Sequence, residues 1–291
     1  MNGWLIINGF FSSEKFSDIY SLLTVAAEKK NIKLLIKNTV ELSSYLGDDS
    51  PFLPAPDFVL FWDKDLSLAR RIEKKGIRVF NSARAIELCD DKTLTAEVLS
   101  GKVKMPETLI APKIFEGMTI SDVFLDKTED LFGFPLIVKE AFGSFGKQVY
   151  LVKNRAELKN VVEKIGFKPF LVQEFIKNSC GRDVRVYVVG DKVVCRMLRV
   201  NKNDFRSNVS GGGEAFLFEA NAEIDEAALC ACKALGTDFA GVDVMFGEDS
   251  PVVCEVNSNP HFRSALNATG VNLADYIIDY IVNKIMAKAD I

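Results

Sequence analysis

A chain of 291 residues with 48% hydrophobic and 26% charged side chains is long enough to bury a large core and too apolar to be disordered. Its net charge of −4 argues against a basic nucleic-acid-binding surface, and with no run of about 18 apolar residues no membrane span is expected. Six scattered cysteines without a C-x-x-C pair point to reduced thiols in a cytoplasmic protein, and a single histidine, His261, excludes a His-rich metal centre and disfavours Ser-His-Asp or Cys-His catalysis.

In chain order, MNGWLIINGFF reads as a first strand; it lacks the basic leader and small-residue cleavage site of a signal peptide. Residues 14–30 carry Phe16, Ile19, Tyr20, Leu23, Ala26 and Ala27 at helical spacing, with Ser12 or Ser13 as N-cap. IKLLIK and DFVLFW are strands, LSLARRIEKKG is a helix ending at Gly76, and IRVFN is a strand. Such alternation predicts an open α/β domain over 1–88 built on a parallel sheet; with no G-x-G-x-x-G after the first strand, a dinucleotide site there is not supported. One helix is expected from about Ser82 to Leu99, then the strand ETLIAP and an amphipathic stretch. FPLIVKEAFGSFGKQVYLVKN reads as strand, glycine turn and returning strand, followed by the helix RAELKNVVEKIG and the strand PFLVQEFI. VRVYVVGDKVVCRMLRV is a hairpin turned at Gly190-Asp191. A polar loop, NKNDFRSNVSGGGEA, leads to the helix DEAALCACKALG, a further hairpin and a last amphipathic helix from about Leu273.

That further hairpin, AGVDVMFGEDSPVVCEVN, holds two acids inside apolar runs. With a loop from Gly247 to Pro251, Asp243 faces Glu255, Met245 faces Val253, and Asn257 shares the face of Glu255 because strand side chains alternate. Carboxylates opposed at about 5 Å repel by roughly 3 kcal/mol at an effective dielectric near 20. A divalent cation reverses that sign, and Asp, Glu and an Asn carbonyl are hard donors suited to Mg²⁺ or Mn²⁺. A solvated face with water-screened charges is the other reading, and the hairpin alone does not choose between them.

Three further features carry the same ambiguity. GSFGK at 143–147 is not a Walker loop, since it lies between strands and its spacing is wrong; it is either a plain turn or a flexible cover whose N–H groups meet phosphate oxygens. Lys139, inside PLIVKE, sits either on an outer sheet face or against a phosphate, and Lys92 in CDDKT is a helix-face lysine unless another motif needs it. Residues 182–206 hold seven basic against three acidic side chains, which suits either an anionic ligand or a solvated hairpin face.

Taken in order, CDDKT, FPLIVKEAFGSFGKQVYLV, FLVQEFI, GRDVRVYVVGDKVVCRMLRV, NDFRSNVSGGG, AGVDVMF and VVCEVNSNP resemble the ATP-grasp ligases, and specifically the RimK-like branch that adds glutamate to ribosomal-protein tails and related substrates. The resemblance runs from about residue 80 to 291. It implies a mixed α/β and α+β chain: an ATP-grasp fold with an N-terminal open α/β (pre-ATP-grasp) domain over 1–88, a central lobe with the glycine lid over 89–174, and a C-terminal lobe with the metal site over 175–291. It further implies that Lys92 and Lys139 hold ATP phosphates beneath a lid containing Gly143, Ser144, Phe145 and Gly146. Gln173, Glu174, Phe175 and Ile176 would line the adenine pocket, and Asp183 would contact the nucleotide at its ribose. Arg199 would face the terminal phosphate, with Asp204, Arg206 and Asn208 on the acceptor side. Asp243, Glu255 and Asn257 would hold two Mg²⁺ ions, with Mn²⁺ as an alternative.

The implied reaction activates a carboxylate as an acylphosphate and displaces phosphate with an amine, needing no side-chain nucleophile. The expected substrates are small-molecule or peptide carboxylates and amines, with neither nucleic acid nor membrane as partner; nothing requires or forbids a homo-oligomer. ATP-grasp folds also phosphorylate hydroxyl groups, so a kinase is the alternative reading, and a non-catalytic ATP-binding regulator is a third. One departure from the branch is SNPHFRSALNATG after EVN, where RimK has a small, glycine-rich run. His261, Phe262 and Arg263 thus put bulk beside the metal residues and leave the substrate open; packing or hydrogen bonding, not general-base chemistry, is the expected role of His261.

Overall fold

Four apolar runs build the first sheet. In the computed structural model, which describes residues 1–11 and 14–289, β1 (Asn2–Ile7), β2 (Lys33–Asn38), β3 (Phe58–Phe61) and β4 (Arg78–Phe80) pair in parallel in the order β2-β1-β3-β4. The expected cap at Ser12 or Ser13 lies outside the described residues. Helix α1 (Glu14–Glu28) packs Ile19, Leu23, Ala26 and Ala27 on one sheet face, and α2 (Leu66–Lys74) packs Leu68, Ala69 and Ile72 on the other. The Asp65 carboxylate caps α2 by accepting from the Leu68 N–H.

A second, antiparallel sheet has the order β5-β8-β6-β7, from β5 (Thr108–Ile110), β6 (Leu136–Glu140), β7 (Val149–Val152) and β8 (Phe170–Glu174). Its Leu136, Val138, Val152, Phe170 and Val172 pack on α6 (Arg155–Ile165) and on α5 (Asp122–Phe132), the helix that the amphipathic stretch becomes. The alternate residues Ile137, Lys139 and Gln173 turn to the opposite face.

The third sheet runs β11-β10-β9-β12-β13, all antiparallel: β9 (Arg182–Val189), β10 (Lys192–Val200), β11 (Glu214–Leu217), β12 (Phe239–Phe246) and β13 (Pro251–Asn257). Val184, Val186, Val242, Val244, Val253 and Val256 form one core with helix α7 (Ala222–Leu235). Strand β11 was not expected, since its sequence, EAFL, follows a glycine run and leaves Phe216 and Leu217 exposed.

The helix expected over 82–99 is two helices, α3 (Ala83–Asp90) and α4 (Lys92–Leu99). Asp91 is extended and caps α4 by accepting from the Thr93 and Leu94 N–H groups, while the Lys92 N–H donates to the Ala141 carbonyl at the end of β6. A short helix, α8 (Arg263–Thr269), precedes α9 (Leu273–Ala289). Packing crosses the expected domain boundaries twice: Leu88, Cys89 and Leu99 join the core of the third sheet, and Ile277, Ile278 and Ile281 of α9 join α1 on the first.

One buried side chain ties the first sheet to the third. The Asn81 amide donates to the carbonyls of Phe239 (2.9 Å) and Ser258 (2.8 Å), and its oxygen accepts from the N–H groups of Asp238 (2.5 Å) and Phe239 (3.3 Å). Replacing it strands these backbone groups without water. Asn81→Ala should lower the unfolding free energy by about 2–4 kcal/mol, read from denaturant titration; a change under about 0.5 kcal/mol would show that the joint does not depend on this residue.

Candidate active site

Between the second and third sheets, and capped by the ends of the first, lies a cavity of about 510 Å³. Of the residues expected in the site, all but Lys92 and Asp204 line it, and Asp204 reaches it through the Arg206 fork. Lys92 stands at its edge and donates to the Gly143 carbonyl at 3.2 Å, holding the first residue of the glycine lid.

The floor is built by register. In β9, Asp183, Arg185 and Tyr187 share one face, because strand side chains alternate. Asp183 lies opposite Arg199 of β10, and Arg185 lies opposite Asp243 of β12, which in turn faces Glu255 of β13. Both Asp183 oxygens accept from Arg199, at 2.7 and 2.5 Å. Asp243 accepts from Arg185 through both oxygens at 2.6 Å and lies 2.9 Å from Arg199. Asp183, Arg199 and Asp243 are all buried. Burial alone pushes the Asp243 carboxyl up, and Arg185 and Arg199 overcome it and hold it below the ordinary carboxylate range. Burial pulls Arg199 down, but Asp243 and Asp183 hold it well above its usual value.

The facing of Asp243 and Glu255 matches the symmetric hairpin, but the pairing of Met245 does not. A bulge at Cys254 shifts the register, so Val244 faces Val253 and Met245 faces Val252. The extra residue aims the Cys254 thiol into the cavity, 3.5 Å from the Lys139 ammonium on the opposite sheet. Burial raises the Cys254 thiol above its ordinary range, and Lys139 only partly offsets this. Lys139 is itself buried and makes no ion pair among the described residues.

Asp243, Glu255 and Asn257 present hard oxygens on one face of the β12–β13 pair, and Glu255 has no ion-pair partner among the described residues. No group of three or more His, Cys, Asp or Glu side chains among the described residues is arranged to hold a metal. Two carboxylates and an amide oxygen are a donor set that suits a hard cation such as Mg²⁺, which takes one or two carboxylates and completes its shell with water and phosphate oxygens.

The lid, the β6–β7 connection, is held from three directions. Arg206 donates to the Gly146 carbonyl at 2.8 Å and forks onto Asp204; Lys64 reaches the Ser144 hydroxyl at 3.4 Å; Phe145 meets Phe16 with ring centroids 6.4 Å apart. Gly146 has φ +71°, and a Cβ there would lie 2.9 Å from the Asn208 side-chain oxygen, so any other residue would be strained and would push Asn208 aside. At the other end, Gln173 donates to the Thr108 hydroxyl at 2.9 Å while its own oxygen finds no protein partner; Glu174 accepts from the Glu107 N–H, and Phe175 and Ile176 continue the wall.

The bulk after EVN is a joint to the first sheet. Tyr187 donates to the His261 carbonyl at 2.9 Å, the His261 ring lies edge-on to Phe16 at 5.8 Å, Phe262 is buried against Trp62, and Arg263 approaches Asp18 at 3.7 Å. His261 still borders the cavity, so packing is not its only contact with the site. Sequence reasoning missed Arg185 as a site residue, along with Phe16, Trp62 and Lys64 from the first domain. Arg185 had a signal, two residues beyond Asp183 on a strand; the others had none, because their chain segments lie far from the motifs.

Residues 89–281 match the RimK-like ATP-grasp domain. The chain is 32% identical over 260 residues to the uncharacterised protein MG012 of Mycoplasma genitalium, covering 87% of this chain and 90% of that one. It is 36% identical over 226 residues to a probable alpha-L-glutamate ligase of Pseudoalteromonas translucida, covering 76% and 73%. Its fold superposes on the RimK-domain ATP-grasp protein of Sphaerobacter thermophilus with a TM-score of 0.74 at 21% identity, covering 96% of this chain and 99% of that one. With the family motifs in order along one cavity, and with this match over most of its length, the chain belongs to the RimK-like ATP-grasp family.

Proposed function

We propose that the protein is an Mg²⁺- and ATP-dependent ligase that joins a carboxylate to the amine of an amino acid or peptide, releasing ADP and phosphate. One observation carries this reading: Lys139 on the second sheet and the Arg199–Asp243–Glu255 group on the third face a single cavity beneath a glycine lid. The name alpha-L-glutamate ligase, borne by a relative, supports the reaction class.

In this reading Gln173 through Ile176 receive the adenine, and the unpartnered Gln173 oxygen offers an acceptor there. Lys139 and the lid residues Gly143 to Gly146 hold phosphates, with Lys92 fixing the base of the lid. Asp183 orients Arg199, which engages both of its oxygens, and its remaining lone pairs face the cavity, where they can meet the nucleotide. Asp243, Glu255 and Asn257 hold the cations, two in number. Bound there, Mg²⁺ neutralises the charge that develops on the transferred phosphoryl group. Arg199 and Lys139 share that neutralisation, and Arg206 and Asn208 close the acceptor side against the lid. The carboxylate oxygen attacks the γ-phosphorus and ADP leaves, giving an acylphosphate; the amine then attacks the acyl carbon, and phosphate leaves as the nitrogen gives up a proton. Cationic and N–H donors around the cavity stabilise the intervening oxyanion.

The direct test incubates the protein with Mg²⁺, ATP and a metabolite and peptide extract, and compares product masses with a control lacking protein. A new species equal to two components minus water, formed with ADP and phosphate, is expected; a species heavier by a phosphoryl group would replace the ligase reading with a kinase. Asp243→Asn combined with Glu255→Gln should cut turnover by at least about a hundredfold with the far-UV circular dichroism unchanged, and full activity would remove the metal assignment. Lys139→Met should weaken ATP binding roughly tenfold to a hundredfold by calorimetry, whereas an unaltered dissociation constant would take Lys139 out of the phosphate site.

A further inference from the structure

Asp243 is held by two guanidiniums at once. Arg185 grips it with a two-pronged fork at 2.6 Å per prong, and one of the same oxygens lies 2.9 Å from Arg199. Arg199 in turn keeps Asp183, so two guanidiniums and two carboxylates form a charge-neutral group of four. The arrangement is imposed by the backbone, because Arg185 and Asp243 are directly opposed in the β9–β12 register and neither side chain is exposed enough to rotate into water. The two arginines are not equivalent. If Arg199 releases Asp243 it still has Asp183, whereas Arg185 has no other carboxylate partner among the described residues.

We propose that Arg185 is a positioning residue that withholds Asp243 from divalent cations until nucleotide is present, so that metal and nucleotide bind together and not in sequence with metal first. A bare dication approaching Asp243 meets two guanidiniums held in contact with that carboxylate and must displace a bidentate ion pair. Nucleotide phosphates remove the obstacle, since planar guanidinium binds phosphate in the same forked geometry as carboxylate and can exchange one for the other. Asp243 is then released toward the cation together with Glu255 and Asn257. This rests on the reading of Asp243 as a metal ligand, and the test separates the two claims.

The test follows the loss of the free Mn²⁺ electron paramagnetic resonance signal as the ion is titrated into the full chain, alone and with the non-hydrolysable ATP analogue AMP-PNP. The wild type should bind Mn²⁺ weakly by itself and markedly more tightly with AMP-PNP, beyond what the analogue binds without protein. Arg185→Met should tighten nucleotide-free Mn²⁺ binding on the order of tenfold, and adding Asp243→Asn to it should abolish that gain. Arg185→Lys, which keeps the charge but loses the fork, should fall between and serves if the methionine variant does not fold. Wild-type protein that binds Mn²⁺ equally well with and without AMP-PNP would overturn the proposal, as would an unchanged affinity in a folded Arg185 variant. Asp243→Asn protein that retains full AMP-PNP-dependent Mn²⁺ binding would instead remove Asp243 from the metal site.

Discussion

Charges sit in the middle of an antiparallel sheet whose other face is almost entirely valine, and the pairing of those charges is the constraint around which the site is arranged. Asp183, Arg185, Arg199 and Asp243 come from three adjacent strands and are buried or nearly so. An unpaired carboxylate at such a depth would be strongly unfavourable, and breaking a buried pair by removing one partner typically costs about 3–5 kcal/mol. The sheet order β10-β9-β12 places each cation beside its carboxylate; a one-residue slip would turn every one of them into the valine core.

One face of that sheet is divided along its length. Tyr187, Val189, Cys195 and Phe239 pack on the first domain and on α9, while Asp183, Arg185 and Arg199 line the cavity a few residues further along the same strands. The site therefore begins where the hydrophobic joint ends. Asn81, the Arg78–Asp238 pair and the contact of Asn259 with the Asp63 carbonyl keep the first sheet against that joint, so the C-terminal ends of its strands form the rim of the cavity. Open α/β sheets place ligands at that edge as a rule. Across the cavity, Lys139 uses the same division: its strand neighbours Val138 and Leu136 face helices, while Ile137 and Lys139 face the cavity.

The glycine lid links all three sheets. It springs from the second, touches Lys64 and Phe16 of the first domain, and lies on Arg206 and Asn208 of the loop that follows β10. The charged groups among these contacts are already committed elsewhere, Arg206 to Asp204 and Lys64 to Asp90. A segment held by several weak contacts can open at low cost, as the proposed role over a nucleotide requires.

Much of the fold is legible locally because period and punctuation are local signals. WLIIN, DFVLFW and the two hairpins declare themselves by apolar runs and turns, and Asp243 opposite Glu255 follows from counting back from the hairpin loop. The helix break at Asp91, the bulge at Cys254 and strand β11 were not legible. Each is set by a contact from a distant segment: the Ala141 carbonyl for Lys92, Lys139 for Cys254, and the pairing edge of β10 for a strand of only four residues. Sequence alone determined which candidate residues are available, the facing acids, the buried lysine and the glycine run, because their chemical types and local spacing are written in the motifs. Only the tertiary structure decided the pairings between separate motifs: Arg185 with Asp243, Arg199 with Asp243, and His261 with Phe16. Those pairings depend on strand order and on the docking of separate sheets, and neither is encoded within the span of a single motif.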